Sequence, residues 1–123
     1  MRNLVFVLLC ALALAACTSQ PIYNVEKAPV PKATTEEVKG AILRAGAGLG
    51  WLMKPVSEGL ITGTMHQRDH IAMIDIRYDA QQYSITYRDS SNLNFAGTTI
   101  HRGYNEWVQS LDRAIRTHLE IKS

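Results

Sequence analysis

The chain has 123 residues, with thirteen lysines and arginines against eleven aspartates and glutamates. That length supports one small domain with a modest core, and so nearly balanced a charge gives no electrostatic reason to expect nucleic acid or a strongly anionic partner. Two cysteines, Cys10 and Cys17, are too few for a disulfide framework.

Met1-Arg2-Asn3 precedes an unbroken apolar run from Leu4 to Ala16. A short positive start, an apolar stretch and small residues at its end form a secretory signal peptide, here residues 1–16. The run is shorter than the roughly 20 apolar residues that cross a bilayer. It ends Leu14-Ala15-Ala16-Cys17, which resembles the lipobox of bacterial lipoproteins. The resemblance implies that Cys17 receives a diacylglyceryl thioether, becomes the first residue on cleavage and is then acylated on its amine, with palmitate as a typical chain. Several acyl chains suit stable anchoring, because one chain binds a membrane only marginally. Cys10 leaves with the signal, so Cys17 has no disulfide partner. In Gram-negative lipoproteins an aspartate after the cysteine favours the inner membrane. Thr18 therefore implies the outer membrane, on its periplasmic side.

Residues 17–33 are read as a lipidated N-terminus and an extended, mobile tether. Pro21, Pro29 and Pro31 interrupt it and no periodicity is sustained. In polyproline geometry, at about 3.1 Å per residue, it reaches roughly 50 Å. The single domain follows over 34–123. Thr34-x-x-Glu37 predicts a capping box, and Val38, Ala41, Ile42 and Ala45 place one apolar stripe on the helix it opens. Gly46, Gly48 and Gly50 are expected to end that helix. Their glycine-rich run lacks the Lys-Ser/Thr of a phosphate loop.

Strands come next. "GWLMKPV" is a short edge strand limited by Pro55, followed by "GLITGTMH", "HIAMIDIRYD" and "YSITYRD". A two-residue turn at Arg68-Asp69 sets Met65 opposite Ala72, Gly63 opposite Ile74 and Ile61 opposite Ile76. A four-residue loop containing Ala80 and Gln81 sets Tyr78 opposite Tyr83, Ile76 opposite Ile85 and Ile74 opposite Tyr87. One face of this antiparallel meander is apolar. The other collects Thr62, Thr64, His66, Asp75, Arg77, Ser84, Thr86 and Arg88.

The last helix carries Tyr104, Trp107, Val108, Leu111, Ala114, Ile115, His118 and Leu119 on one stripe. Two one-sided helices and a one-sided sheet predict an α+β fold, two layers in the order α-β-β-β(-β)-α with both helices on the same face. Residues 50–120 also resemble small uncharacterised Gram-negative envelope proteins that share a strand meander and a "YNxWVxxL" final helix, here Tyr104, Asn105, Trp107, Val108 and Leu111. That resemblance implies the fold and no activity.

The candidate chemistry is sparse. His66 and His70 flank a hairpin turn on different faces, and no cysteine or close carboxylate pair completes a metal shell. His118 reads as a packed histidine on the apolar stripe. "YRDSSNLNF" offers Asp89, Ser90 and Ser91, with His101 downstream, but no Gly-x-Ser-x-Gly elbow presents a nucleophile. These polar side chains are expected to close the turn after the last strand. No cofactor is implied.

The favoured reading is a noncatalytic lipoprotein anchored in the outer membrane, a binding or assembly module of the cell envelope. Its partners are the membrane, through the lipid, and another envelope protein or cell-wall component at the polar sheet face. One alternative is a periplasmic hydrolase using Ser90 or Ser91 with His101 and Asp89. The second is a purely structural envelope-stability protein without a discrete ligand.

Overall fold

A computed structural model describes residues 18–122. The expected signal peptide over 1–16 and the expected lipidation at Cys17 fall outside the described residues. Among those described, the fold is α+β. Strands β1 (Ser19–Pro21) and β2 (Val25–Pro29) precede helix α1 (Thr35–Leu49). Strands β3 (Leu52–Ser57), β4 (Leu60–Gln67), β5 (His70–Tyr78) and β6 (Gln82–Ser91) follow, then β7 (Thr99–His101) and helix α2 (Arg102–Lys122). The main sheet is antiparallel throughout, in the order β2-β6-β5-β4-β3, and β1 pairs with β7 in a separate ribbon. The two helices pack on each other and on one face of the main sheet.

Alternation sets the meander, and its register is the one expected from the sequence. Ile61 lies opposite Ile76 and Met65 opposite Ala72. Ile76 lies opposite Ile85 and Tyr78 opposite Tyr83. Moving either hairpin by one residue would turn every one of these side chains into water. The row Ile61-Ile76-Ile85 is completely buried beneath Ile42, Leu111 and Ile115 of the helices.

Helix α1 starts as its sequence predicts. The Thr34 hydroxyl accepts from the Glu37 amide, and a Glu37 carboxylate oxygen accepts from the Thr34 amide at 2.8 Å. Its end differs from expectation. Gly46 and Gly48 continue the helix, and only Gly50, at φ +92°, forms the left-handed cap. Gly46 is buried, and a Cβ there would collide with the Met53 side chain. The missing side chain serves the close approach of α1 to β3 and does not stop the helix.

The mobile tether over 17–33 is corrected by the structure. Ser19 lies opposite His101 and Gln20 opposite Ile100, while Val25 lies opposite Ile85 and Ala28 opposite Tyr83. Proline withholds only an N–H, which an edge strand can spare, and β1 and β2 are both edges. A bulge at Glu26-Lys27, where Lys27 has φ +51°, separates the buried Val25 and Ala28 by three positions. That spacing hides the two-residue period by which a strand is recognised.

Helix α2 buries Tyr104, Val108, Leu111, Ile115 and Leu119 as expected, with Trp107 half-buried and His118 at the rim. It also buries two polar residues, Asn105 and Asp112. The Asp112 carboxylate accepts from the Tyr83 hydroxyl and, at 3.2 Å, from Arg116 Nε.

Burial above all, with the Asp112 carboxylate adding to it, holds the Tyr83 phenol far above its ordinary value of 10.0. Burial does the same to Tyr104. Because the folded values are raised, the stability they contribute is intact below about pH 10 and is lost as pH rises above it, where only unfolded tyrosines ionise. Urea midpoints are therefore expected to hold through neutral pH and to fall from about pH 10 upward. A Tyr83→Phe variant should show a shallower alkaline decline. An unchanged slope would remove this origin for the effect.

Candidate functional site

The helices cover one face of the sheet and leave the other open. Alternation along β4, β5 and β6 delivers Thr62, Thr64, Asp75, Arg77, Ser84 and Thr86 to the open face, with Thr62, Asp75 and Thr86 in one cross-strand row. His66 and Arg88 are exposed on the same side. Arg88 is the extra residue of a bulge, since Tyr87 lies opposite Ile74 and Asp89 opposite Met73. Beyond this bulge β6 continues to pair through Ser91, two residues past the strand that the sequence suggests.

Asp75 organises the face. One of its carboxylate oxygens accepts from Arg88 at 3.1 Å and from the Thr62 hydroxyl at 3.4 Å, and the other lies 3.9 Å from Arg77. Both guanidinium groups are at least half exposed while Asp75 is largely covered. Exposed pairs of this type contribute about 0–1 kcal/mol, so the cluster is a minor source of stability. It places two solvated cations around one shielded anion. Ser84 is partly committed to β2, because its hydroxyl accepts from the Lys27 amide at 3.0 Å.

The structure adds an apolar component that the sequence reading missed. Leu52 lies opposite Thr64 and Lys54 opposite Thr62, which puts them on the open face. Leu52 is 73% exposed and Val56 56%. With Met73 and Arg88 they line a shallow depression of about 480 Å³. Counted from the Glu58-Gly59 turn alone, Leu52 would fall opposite Met65 on the buried face; the register shift between Pro55 and Ser57 reverses that parity, and no local signal in the sequence announces it.

The proposed hydrolase residues are dispersed among other bonds. The Ser90 hydroxyl pairs with the Tyr87 hydroxyl at 2.8 Å, and Asp89 Oδ1 accepts from the adjacent Ser90 amide. His101 lies on β7, where its Nδ1 accepts from the Gly103 amide at 3.0 Å. Asp89, Ser90 and Ser91 all belong to β6, so the strand runs on through the two serines expected in the following turn. The turn itself is made by Asn92 and Asn94, both at positive φ. His70 Nδ1 lies 2.8 Å from the Asn92 carbonyl, and His66 points to the open face. No metal-binding group of three or more His, Cys, Asp or Glu residues occurs among the described residues.

A second polar cluster secures the N-terminal segment. The buried Asn105 side chain donates to the Pro21 carbonyl at 2.9 Å and to Gln20 Oε1 at 3.4 Å, and accepts from the Tyr23 amide at 2.9 Å. Replacing Asn105 with alanine leaves these groups without that partner, at a cost of about 1–3 kcal/mol. Residues 19–24 should then lose hydrogen-exchange protection ahead of the main sheet. Equal protection in Asn105→Ala and the parent would refute the clamp.

Comparison with protein-family models, with curated proteins and with solved structures found no match.

Proposed function

We propose that this chain is a noncatalytic, lipid-anchored binding or assembly module on the periplasmic side of the outer membrane. In this reading Cys17 carries the lipid and the open sheet face receives another envelope component. The observation that carries the docking role is the uncovered face itself, where exposed Leu52 and Val56 border the Asp75-Arg77-Arg88 cluster. Exposed apolar residues grouped beside ordered charges are a feature of interaction surfaces. Anchoring rests on Leu14-Ala15-Ala16-Cys17 at the end of an apolar run, and the outer-membrane assignment rests on Thr18. Among the described residues no helix is long and apolar enough to cross a membrane, so lipid is the means of attachment this reading offers.

Cys17→Ser is expected to leave the precursor unprocessed and without acyl mass, and Thr18→Asp to move the mature protein into the inner-membrane fraction. A processed, lipid-bound Cys17→Ser protein would overturn the anchor. For the docking face, cross-linking from Thr64 in intact cells should yield one stoichiometric adduct that Leu52→Asp abolishes. Absence of an adduct would favour the purely structural role.

A further inference from the structure

Anchoring and folding meet within two residues, and this constrains how the domain can sit. Ser19 is already paired with His101, and Cys17 stands two positions before it. A fully extended chain advances about 3.3–3.6 Å per residue, so a lipidated Cys17 lies within roughly 7 Å of the ribbon. Asn105 holds Gln20, Pro21 and Tyr23, and the Ile22 amide donates to the Thr98 carbonyl at 3.0 Å, which removes slack further along.

We propose that the end of the domain formed by the starts of β1 and α2 and by residues 92–98 lies directly on the phospholipid headgroups. This rests on the lipidation of Cys17 described above. The surface fits a bilayer interface. Phe95 is 46% exposed and stacks on Tyr87 at 4.4 Å, which gives the loop an aromatic face. Arg102 is exposed and directly follows His101, the partner of Ser19. The Arg68-Asp69 turn belongs to the same end, because Asn92 Nδ2 donates to the Asp69 carbonyl at 2.7 Å. Arg68 and Arg102 offer guanidinium groups to lipid phosphates, while Asp69 and Asp89 balance them. The short anchor therefore sets the orientation and charge refines it. Aromatic and arginine side chains suit the headgroup level, where one part of each side chain is apolar and the other solvated.

The opposite end carries the β5-β6 turn at Asp79–Gln81, one strand away along the nine residues of β5. At about 3.3 Å per residue that strand spans roughly 30 Å. The domain thus stands on a defined end, and does not swing on a spacer of the length its prolines suggest.

The test uses the full chain, matured in cells, with acylation of Cys17 established by mass. Cys17 is then a thioether, so a cysteine introduced by Arg102→Cys or Gln81→Cys is the single reactive thiol for a bimane label. The protein is reconstituted in phosphatidylethanolamine-phosphatidylglycerol vesicles containing headgroup spin-labelled lipid. Quenching is expected to be several-fold stronger at position 102 than at 81. A twelve-residue Gly-Ser insertion between Thr18 and Ser19 should bring the two close to equality. Equal quenching at both positions in the acylated protein without the insertion would overturn the proposal and leave the anchor intact. Mature protein without acyl chains would instead refute the lipidation reading, and the proposal with it.

Discussion

Replacing Ile76 with alanine is expected to lower the unfolding free energy by about 3–4 kcal/mol, within the range for truncating a fully buried isoleucine. Ile76 is flanked by Ile61 on β4 and Ile85 on β6, and all three are completely buried. Two neighbouring strands fix its backbone, and Ile42, Leu111 and Ile115 belong to the same core. The site therefore has little freedom to collapse around the missing methyl and methylene groups. The lost transfer energy and the residual cavity both count against the folded state. Small domains have only about 5–15 kcal/mol in reserve, so the loss is a large share of the total. Urea denaturation with an unchanged m-value checks it. A loss below about 1 kcal/mol would show that the core repacks freely.

The second large effect concerns Asp112. Asp112→Ala is expected to destabilise by about 2–4 kcal/mol, because the completely buried Tyr83 loses its acceptor and Arg116 loses its partner. Arg116 is itself about half exposed and regains water, so the cost falls mainly on the phenol. Burial, the largest cause of the raised Tyr83 value, persists in the variant, so the phenol stays un-ionised while it loses its carboxylate acceptor. Tyr83→Phe combined with Asp112→Ala should cost clearly less than the two single losses added together, since no buried donor remains. A double-mutant cycle measures this, and additivity within about 0.5 kcal/mol would mean that the pair is not coupled. The bond ties α2 to β6, and α2 carries the Asn105 clamp. Loss of Asp112 should therefore also loosen β1 and, under the proposed anchoring, widen the range of orientations on the bilayer.

Legibility in the sequence followed the range of the signal. Alternation in β4, β5 and β6 and the 3.6-residue stripe of α2 are local repeats, so faces, hairpin registers and core residues could be read directly. The eight polar residues of the open face emerged by the same parity. The Thr34-Glu37 capping box is a four-residue pattern and was equally plain. Where a bulge adds a residue, parity fails. That is why the sequence of β2 resembles a tether and why Ser90 lies on the face of Tyr87 instead of opposite it. Gly46 looked like a stop signal because its reason for being small, the side chain of Met53, lies on another element.

The sequence by itself determined the antiparallel meander and the two amphipathic helices, and it carries the Leu14-Ala15-Ala16-Cys17 pattern on which the proposed lipidation rests. Each of these is written in neighbouring residues that act through short-range chemistry. Only the tertiary structure decided that the proline-rich segment is bound to the domain, that Leu52 and Val56 join the open face, and that Asn105 and Asp112 are buried ties. Those outcomes depend on partners distant in sequence, such as His101 for Ser19 and Tyr83 for Asp112. Prolines forbid a helix wherever they occur, but whether they leave a free tether or an edge strand depends on whether an unpaired strand waits beside them. Here β6 and β7 each offered one.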